Sequence, residues 1–327
     1  MRKWFWIVGC LALVFWNIPN TPMEYRVSQK APFLNAPAPP PPASPVFRDA
    51  TLSSGLHFIH WQGGQKLEGL DETTGSGACV LDYDNDGWMD LFLVNGSGQS
   101  HFYRRTQWWQ KPVSSALYRN ESDGTFQEVT EGAGLRQTRW GMGCVTGDLD
   151  NDGDSDLFLT TLGQNVLYRN NGDGTFTEVT TASGIQGEGW STSAVLADYD
   201  QDGLLDIYVV NYLSYPKGAH TFERDSGFQA SARPSFDPTL FNSLPNQLYH
   251  NRGGLVFEEV AQSAGVEDAS GRGLAALWLD VNQDGYPDLV VSNDKGFPNS
   301  LFINLQNGRF QPADFSSRKF ACVVVCF

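Results

Sequence analysis

Positive charge is scarce in this chain: 22 lysines and arginines stand against 37 aspartates and glutamates in 327 residues, a net charge of −15. A nucleic-acid partner needs a basic footprint to neutralise phosphate, so that class is excluded. Cysteine is scarce too. Cys10, Cys79, Cys144, Cys322 and Cys326 give no disulfide framework by their spacing, and Cys79 and Cys144, at equivalent places in an internal repeat, read as small buried free thiols. No G-x-S-x-G elbow and no Cys-His signature is present, so no nucleophile can be named. The histidines, His57, His60, His101, His220 and His250, are scattered and predict neither a zinc site nor a catalytic one. GMGCVTG at 141–147 has one residue too many for a dinucleotide fingerprint and leads into an acidic loop instead of a helix.

Glycine and aromatic residues are plentiful, with 34 glycines and 13% Phe, Trp and Tyr, a balance that suits short strands and turns better than long helices. Residues 1–20 carry Arg2 and Lys3 followed by an unbroken apolar run from Trp4 to Trp16. This is an export pattern, read as a cleaved signal peptide or an uncleaved N-terminal anchor, and the run is short of the ~20 residues a spanning helix needs. Residues 21–46 form a Pro-rich linker, ending in APAPPPPASP, whose composition favours extended polyproline. The folded region is expected over 47–327.

An internal repeat organises that region. DYDNDGWMD (82–90), DLDNDGDSD (148–156), DYDQDGLLD (198–206) and DVNQDGYPD (280–288) align without gaps, and each is followed by a strand-like run. A second motif alternates with the first: LYRNESDGTFQEVTEGAGL (117–135), LYRNNGDGTFTEVTTASGI (167–185), LYHNRGGLVFEEVAQSAGV (248–266) and a weaker LFINLQNGRF (301–310). Four strands in about 50 residues make a propeller blade. The predicted fold is therefore all-β, a β-propeller of four-stranded antiparallel blades with four recognisable repeats. Phe47–Leu56 matches Phe126–Leu135, so the fold is expected to open with the last strand of a further blade. Two units carry extra residues at about 96–116 and 212–245, between their second and third strands.

In each acidic loop, carboxylates at positions 1, 3, 5 and 9 surround one point while a glycine at position 6 takes the sharp turn. Hard oxygen donors in a flexible loop select calcium. The candidate ligands are Asp82, Asp84, Asp86 and Asp90; Asp148, Asp150, Asp152 and Asp156; Asp198, Asp200, Asp202 and Asp206; and Asp280, Asn282, Asp284 and Asp288. A backbone carbonyl near Trp88 is a candidate fifth ligand in the first loop. Position 12 is Leu93, Leu159, Val209 or Val291 within a strand, which excludes an EF-hand. Turn preference alone explains any single loop. It does not explain the charge: the loops hold 16 of the 37 carboxylates, leaving 21 acidic residues against 22 basic ones elsewhere. About four calcium ions are expected, the fourth loop being the weakest.

The stretches LDYDNDGWMDLFLVNG, WGMGCVTGDLDNDGDSDLFLT, LYRNNGDGTFTEVT and WSTSAVLADYDQDGLLDIYVVNY resemble FG-GAP/VCBS-type calcium-binding propeller repeats, and in particular the ASPIC/UnbV group that includes the cartilage acidic protein family. The resemblance covers about Phe47 to Phe310. It implies an exported propeller similar to the head of integrin α subunits, with calcium in the first interstrand loop of each blade. That family runs on through more blades to a small C-terminal domain. Against that pattern this chain, ending in the apolar FACVVVCF, reads as C-terminally truncated, with a ring left incomplete unless it closes at four blades.

Alternating strand direction puts the acidic loops and the insertions on opposite faces. The face away from calcium is expected to collect Arg104, Arg105, Trp108, Trp109, Arg139, Trp140, Trp190 and Arg272, with Tyr212 and Tyr215, the residue types that anchor recognition surfaces. For Trp140 and Trp190, packing between blades is an equally weighted reading. The leading function is a non-enzymatic binding or adhesion scaffold for an extracellular protein or glycan, meeting a membrane only through an N-terminal anchor. Its location would be secreted, periplasmic or anchored at the outer side of the membrane. The alternatives are an enzyme working at the central opening and an inactive fragment of a longer protein.

Overall fold

Alternation of apolar and polar residues in each repeat is converted into a four-stranded antiparallel sheet. The computed structural model describes residues 47–61, 70–96, 114–137, 139–215, 238–294 and 296–313. The first blade comprises β1 (Ala78–Leu81), β2 (Asp90–Leu93), β3 (Ala116–Asn120) and β4 (Phe126–Glu128). The second has β5 (Gly141–Gly147), β6 (Asp156–Gly163), β7 (Val166–Asn170) and β8 (Phe176–Glu178). The third has β9 (Gly189–Ala197), β10 (Asp206–Asn211), β11 (Gln247–Asn251) and β12 (Phe257–Glu259), and the fourth β13 (Gly273–Leu279), β14 (Asp288–Asn293), β15 (Ser300–Asn304) and β16 (Phe310–Ala313). Within each blade successive strands pair antiparallel. The signal or anchor, the Pro-rich linker and the terminal FACVVVCF lie outside the described residues.

The first strands of neighbouring blades lie side by side in the order β1, β5, β9, β13. The second strands are the most deeply buried, β10 and β14 along their whole length. The fourth strands of the first three blades are short and end in the exposed glutamates Glu128, Glu178 and Glu259, which keeps the outer edge from pairing with another chain. The apolar cores lie between blades. Leu81, Phe92 and Leu117 of the first blade meet Leu157, Leu159 and Phe176 of the second. Phe158 and Leu167 meet Ile207 and Tyr249 of the third, and Tyr208 and Leu248 meet Leu289 and Phe302 of the fourth. Close approach is required where one blade's first strand crosses the end of the previous blade's second: a Cβ on Gly273 would overlap Val210 Cγ1, and one on Gly141 would stand 2.5 Å from Val94 Cγ1.

Two expectations are corrected here. Cys79 and Cys144 are not free thiols but form a disulfide, with Cα atoms 5.9 Å apart. They occupy β1 and β5, and adjacent first strands bring equivalent positions within bridging distance. Phe47–Ala50 forms no strand. Only the turn that follows it is built as in the other repeats, with Phe126 N–H donating to Ser54 O at 2.7 Å as Phe176 N–H does to Ala133 O at 2.8 Å and Phe257 N–H to Ser183 O at 2.9 Å. Among the described residues no other strand flanks this segment to complete its sheet.

Candidate metal centre

The four acidic loops share one backbone conformation. Position 4 is left-handed in every copy, at Asn85, Asn151, Gln201 and Gln283 with φ of 57°, 59°, 62° and 62°. Position 6 is also left-handed, at Gly87, Gly153, Gly203 and Gly285 with φ between 89° and 98°, a conformation glycine adopts without steric cost. The position 1 carboxylate fixes the turn. Asp82 accepts from Asp86 N–H at 3.1 Å and Gly87 N–H at 3.0 Å, and Asp148, Asp198 and Asp280 repeat the pair. Position 5 accepts from the amide two residues on, Asp86 from Trp88, Asp152 from Asp154, Asp202 from Leu204 and Asp284 from Tyr286.

Position 9 is the most buried. Asp90, Asp206 and Asp288 are fully buried and Asp156 is 1% exposed. One oxygen of each accepts the position 2 amide, and the other accepts the amide of an asparagine on the third strand, as in Asp156 with Leu149 N–H at 3.0 Å and Asn170 N–H at 2.9 Å. Burial outweighs these bonds and pushes Asp90 and Asp206 up to about 6 and Asp156 up to about 7.

Position 3 separates the loops. Asp84 Oδ1, Asp150 Oδ1 and Asp200 Oδ1 are buried carboxylate oxygens with no hydrogen-bond partner. Burial, and next the neighbouring position 5 carboxylate, raises the pKa of all three. Such oxygens carry a heavy desolvation cost unless a cation satisfies them. Donor atoms within 4.8 Å of one another are gathered from Asp82, Asp84 and Asp86, from Asp148, Asp150 and Asp156, and from Asp198, Asp200 and Asp202. These oxygen-only sets suit a hard cation such as calcium. The fourth loop differs. Asn282 Oδ1 accepts Asp284 N–H at 2.9 Å, which turns the amide nitrogen toward Asp284 Oδ2 at 2.9 Å, and Gln306 donates to that same oxygen at 3.1 Å. The copy with Asn at position 3 thus satisfies its own polar atoms.

The loops also reach one another. Asn85 donates to Asp154, Asn151 to Gly203 O at 3.0 Å and Gln201 to Gly285 O at 2.7 Å, so the position 4 residue of each of the first three loops holds the next blade's loop. The third-strand asparagines add a second tie. Asn170 Nδ2 donates to Tyr83 O at 2.9 Å, Asn251 to Leu149 O at 2.7 Å and Asn304 to Tyr199 O at 2.8 Å, each crossing to the preceding blade. This role was missed at the sequence level. Its signal is the asparagine that closes L-Y/F-x-N in all four copies.

Of the residues expected on the opposite face, Arg104, Arg105, Trp108 and Trp109 lie outside the described residues. Trp190 is fully buried, Trp140 is 7% exposed, and both pack with Tyr212 and Leu213 between blades, so the packing reading holds for the tryptophans. Arg272 is buried, its guanidinium 4.5 Å from the Phe297 ring centroid. Arg139 is half-buried and pairs with Glu178 at 3.0 Å. At that same end of the blades, a cavity of about 160 Å³ opens between the second and third, lined by Asn165, Glu188, Ser191, Asn211 and Gln247.

Fold and loops together define a propeller-type repeat protein whose acidic turns gather clustered carboxylate oxygens. Residues 82–159 and 148–209 match the FG-GAP-like repeat family, and the chain carries these repeats. A 78-residue stretch is 38% identical to cartilage acidic protein 1 of Homo sapiens and 36% identical to that of Xenopus tropicalis, covering 24% of this chain and 12% of each relative. The match thus spans about an eighth of the relatives' length. Among solved structures, an Agrocybe aegerita lectin that recognises non-reducing terminal N-acetylglucosamine aligns over 72% of this chain and 50% of its own, with 18% identity and a TM-score of 0.36. The Vibrio cholerae biofilm matrix protein Bap1 aligns over 72% of this chain and 30% of its own, with 14% identity and a TM-score of 0.37.

Proposed function

We propose that this chain is an exported, non-enzymatic scaffold, stabilised by calcium, that presents loops to a protein or glycan partner. The observation that carries the calcium reading is the set of buried, unpartnered oxygens on Asp84, Asp150 and Asp200, one in each carboxyl-rich loop, together with the loss of that feature where Asn282 replaces the aspartate. Asp82, Asp84 and Asp86, Asp148, Asp150 and Asp156, and Asp198, Asp200 and Asp202 would hold the ions, which neutralise clustered charge and fix the turns that link one blade to the next. Export is supported by the apolar N-terminal segment and agrees with the Cys79–Cys144 disulfide, a bond suited to oxidising compartments. No described helix is long and apolar enough to cross a membrane.

The partner surface is assigned to the face opposite the acidic loops, where the insertions emerge and the cavity combines polar side chains such as Asn165 and Gln247 with the apolar Leu244 and Pro245. The test is binding of the calcium-loaded protein to arrays of extracellular matrix proteins and of glycans, with a metal-free control. Calcium-dependent binding that is lost on deleting 97–113 or 216–237 is the expected result. Binding that survives both deletions contradicts the assignment of the face.

A further inference from the structure

The third loop carries a donor that the other loops lack. His250 replaces the arginine of the first two L-Y-R-N motifs, and its side chain is buried beneath the loop. His250 Nδ1 lies 3.1 Å from Asp206 Oδ1 and 3.7 Å from Asp200 Oδ2. These three residues form a second group of donors within 4.8 Å of one another, sharing Asp200 with the all-oxygen group of the same loop. In the second loop the corresponding Arg169 places Nε 3.2 Å from Asp150 Oδ2 and Nη2 3.2 Å from Asp152 Oδ2. A guanidinium offers charge and no lone pair, whereas a neutral imidazole offers a nitrogen lone pair.

We propose that His250, Asp200 and Asp206 form a mixed nitrogen and oxygen site for a divalent first-row transition ion of the zinc or cobalt type, which the first two loops cannot form. Donors around a tetrahedral ion with bonds of ~2.0–2.1 Å stand roughly 3.3 Å apart, a value bracketed by the two separations from Nδ1. Imidazole favours such ions over calcium, which prefers oxygen alone. The supporting shell is in place. The Asn251 amide holds Asp206 Oδ1 at 2.8 Å, Tyr199 packs edge-on against the imidazole at 5.8 Å between centroids, and Asp200 Oδ1 is buried without a partner. The assignment extends the reading of the acidic loops as metal sites, but its selectivity rests on His250 alone. The 44 residues that separate Asp206 from His250 hide the group from any reading by spacing.

The test uses the full chain stripped of metal, titrated in parallel with calcium, with zinc and with cobalt. The wild type is expected to take up zinc with a shift of the His250 ring resonances in the NMR spectrum, and to give the visible absorption of low-coordinate cobalt. His250→Arg, which installs the residue of the second repeat, and His250→Gln are each expected to weaken zinc binding by more than about tenfold while leaving calcium uptake by the first two loops unchanged. Zinc affinity equal to wild type in either folded variant, or zinc binding that leaves the His250 resonances unmoved, overturns the proposal. Loss of calcium uptake alone, with zinc binding intact, would count against the calcium reading and leave this site standing.

Discussion

Replacing Asn251 by alanine should be far more costly than replacing its counterpart Asn120, although both close the same motif. Asn251 is fully buried, donates to Leu149 O at 2.7 Å in the preceding blade and to Leu205 O at 2.9 Å in its own, and accepts Gly253 N–H at 2.9 Å. Truncation strands one buried and one partly buried carbonyl, each at about 1–3 kcal/mol, so a loss of roughly 2–6 kcal/mol is expected. At about 2–4 °C per kcal/mol for a unit of this size the melting midpoint should fall by roughly 4–24 °C. Asn120 is partly exposed, and among the described residues its amide nitrogen bonds only Met89 O at 3.0 Å, within its own blade. Asn120→Ala should therefore cost about 1 kcal/mol or less. Thermal and urea unfolding of both variants at saturating calcium gives the comparison. Equal losses would refute the claim that the third-strand asparagine works mainly as a clamp between blades.

Three further outcomes follow from the same geometry. The folded-state pKa values of Asp90, Asp156 and Asp206 are raised to about 6 or 7 by burial, so the stabilisation they give is fully present below their unfolded value of about 4 and is lost as pH rises through 6 to 7. Metal-free protein should accordingly melt lower at pH 8 than at pH 5, with calcium flattening the trend; a flat metal-free profile would contradict it. Gly273→Ala forces a Cβ onto Val210 Cγ1 and to within 3.0 Å of Asn211 O, and should lower stability by about 1–3 kcal/mol in urea, against a smaller effect at the open position Gly285 for its purely conformational strain. Cys79→Ser opens a disulfide with a sequence separation of 65 and should cost roughly 2–4 kcal/mol, measurable as an unfolding midpoint lowered to that of the reduced wild type.

The repeat, the strand order within each blade and the acidic turns were legible in the sequence because they are local. A period-two strand, a left-handed glycine and an aspartate every second residue each leave a mark within about ten positions. What was illegible joins distant repeats. Asn251 and Leu149, and Cys79 and Cys144, meet only when blades stack, while His250 reaches Asp200 within one blade but across a 44-residue separation from Asp206, and one motif read alone gives each a blander role. The tryptophans show the converse. Trp140 and Trp190 suit a recognition face by residue type, but the ends of the first strands are where neighbouring blades converge, and there an indole fills the gap. At position 3 Asn282 marks the fourth loop as the weakest in the sequence, and only the structure shows that its amide is turned inward and bonds the loop to itself.

The central claim is that the first three loops are built to be closed by calcium, and the stoichiometry of calcium binding tests it most directly. Isothermal titration of the metal-free chain should give three ions, and Asp84→Ala, Asp150→Ala and Asp200→Ala should each remove one, while Asn282→Ala leaves all three. Each ion should add roughly 2.7 kcal/mol at a hundredfold excess over its dissociation constant, so the melting midpoint should rise steeply from chelator to millimolar calcium. No heat of binding, or identical midpoints in the two conditions, would contradict the account.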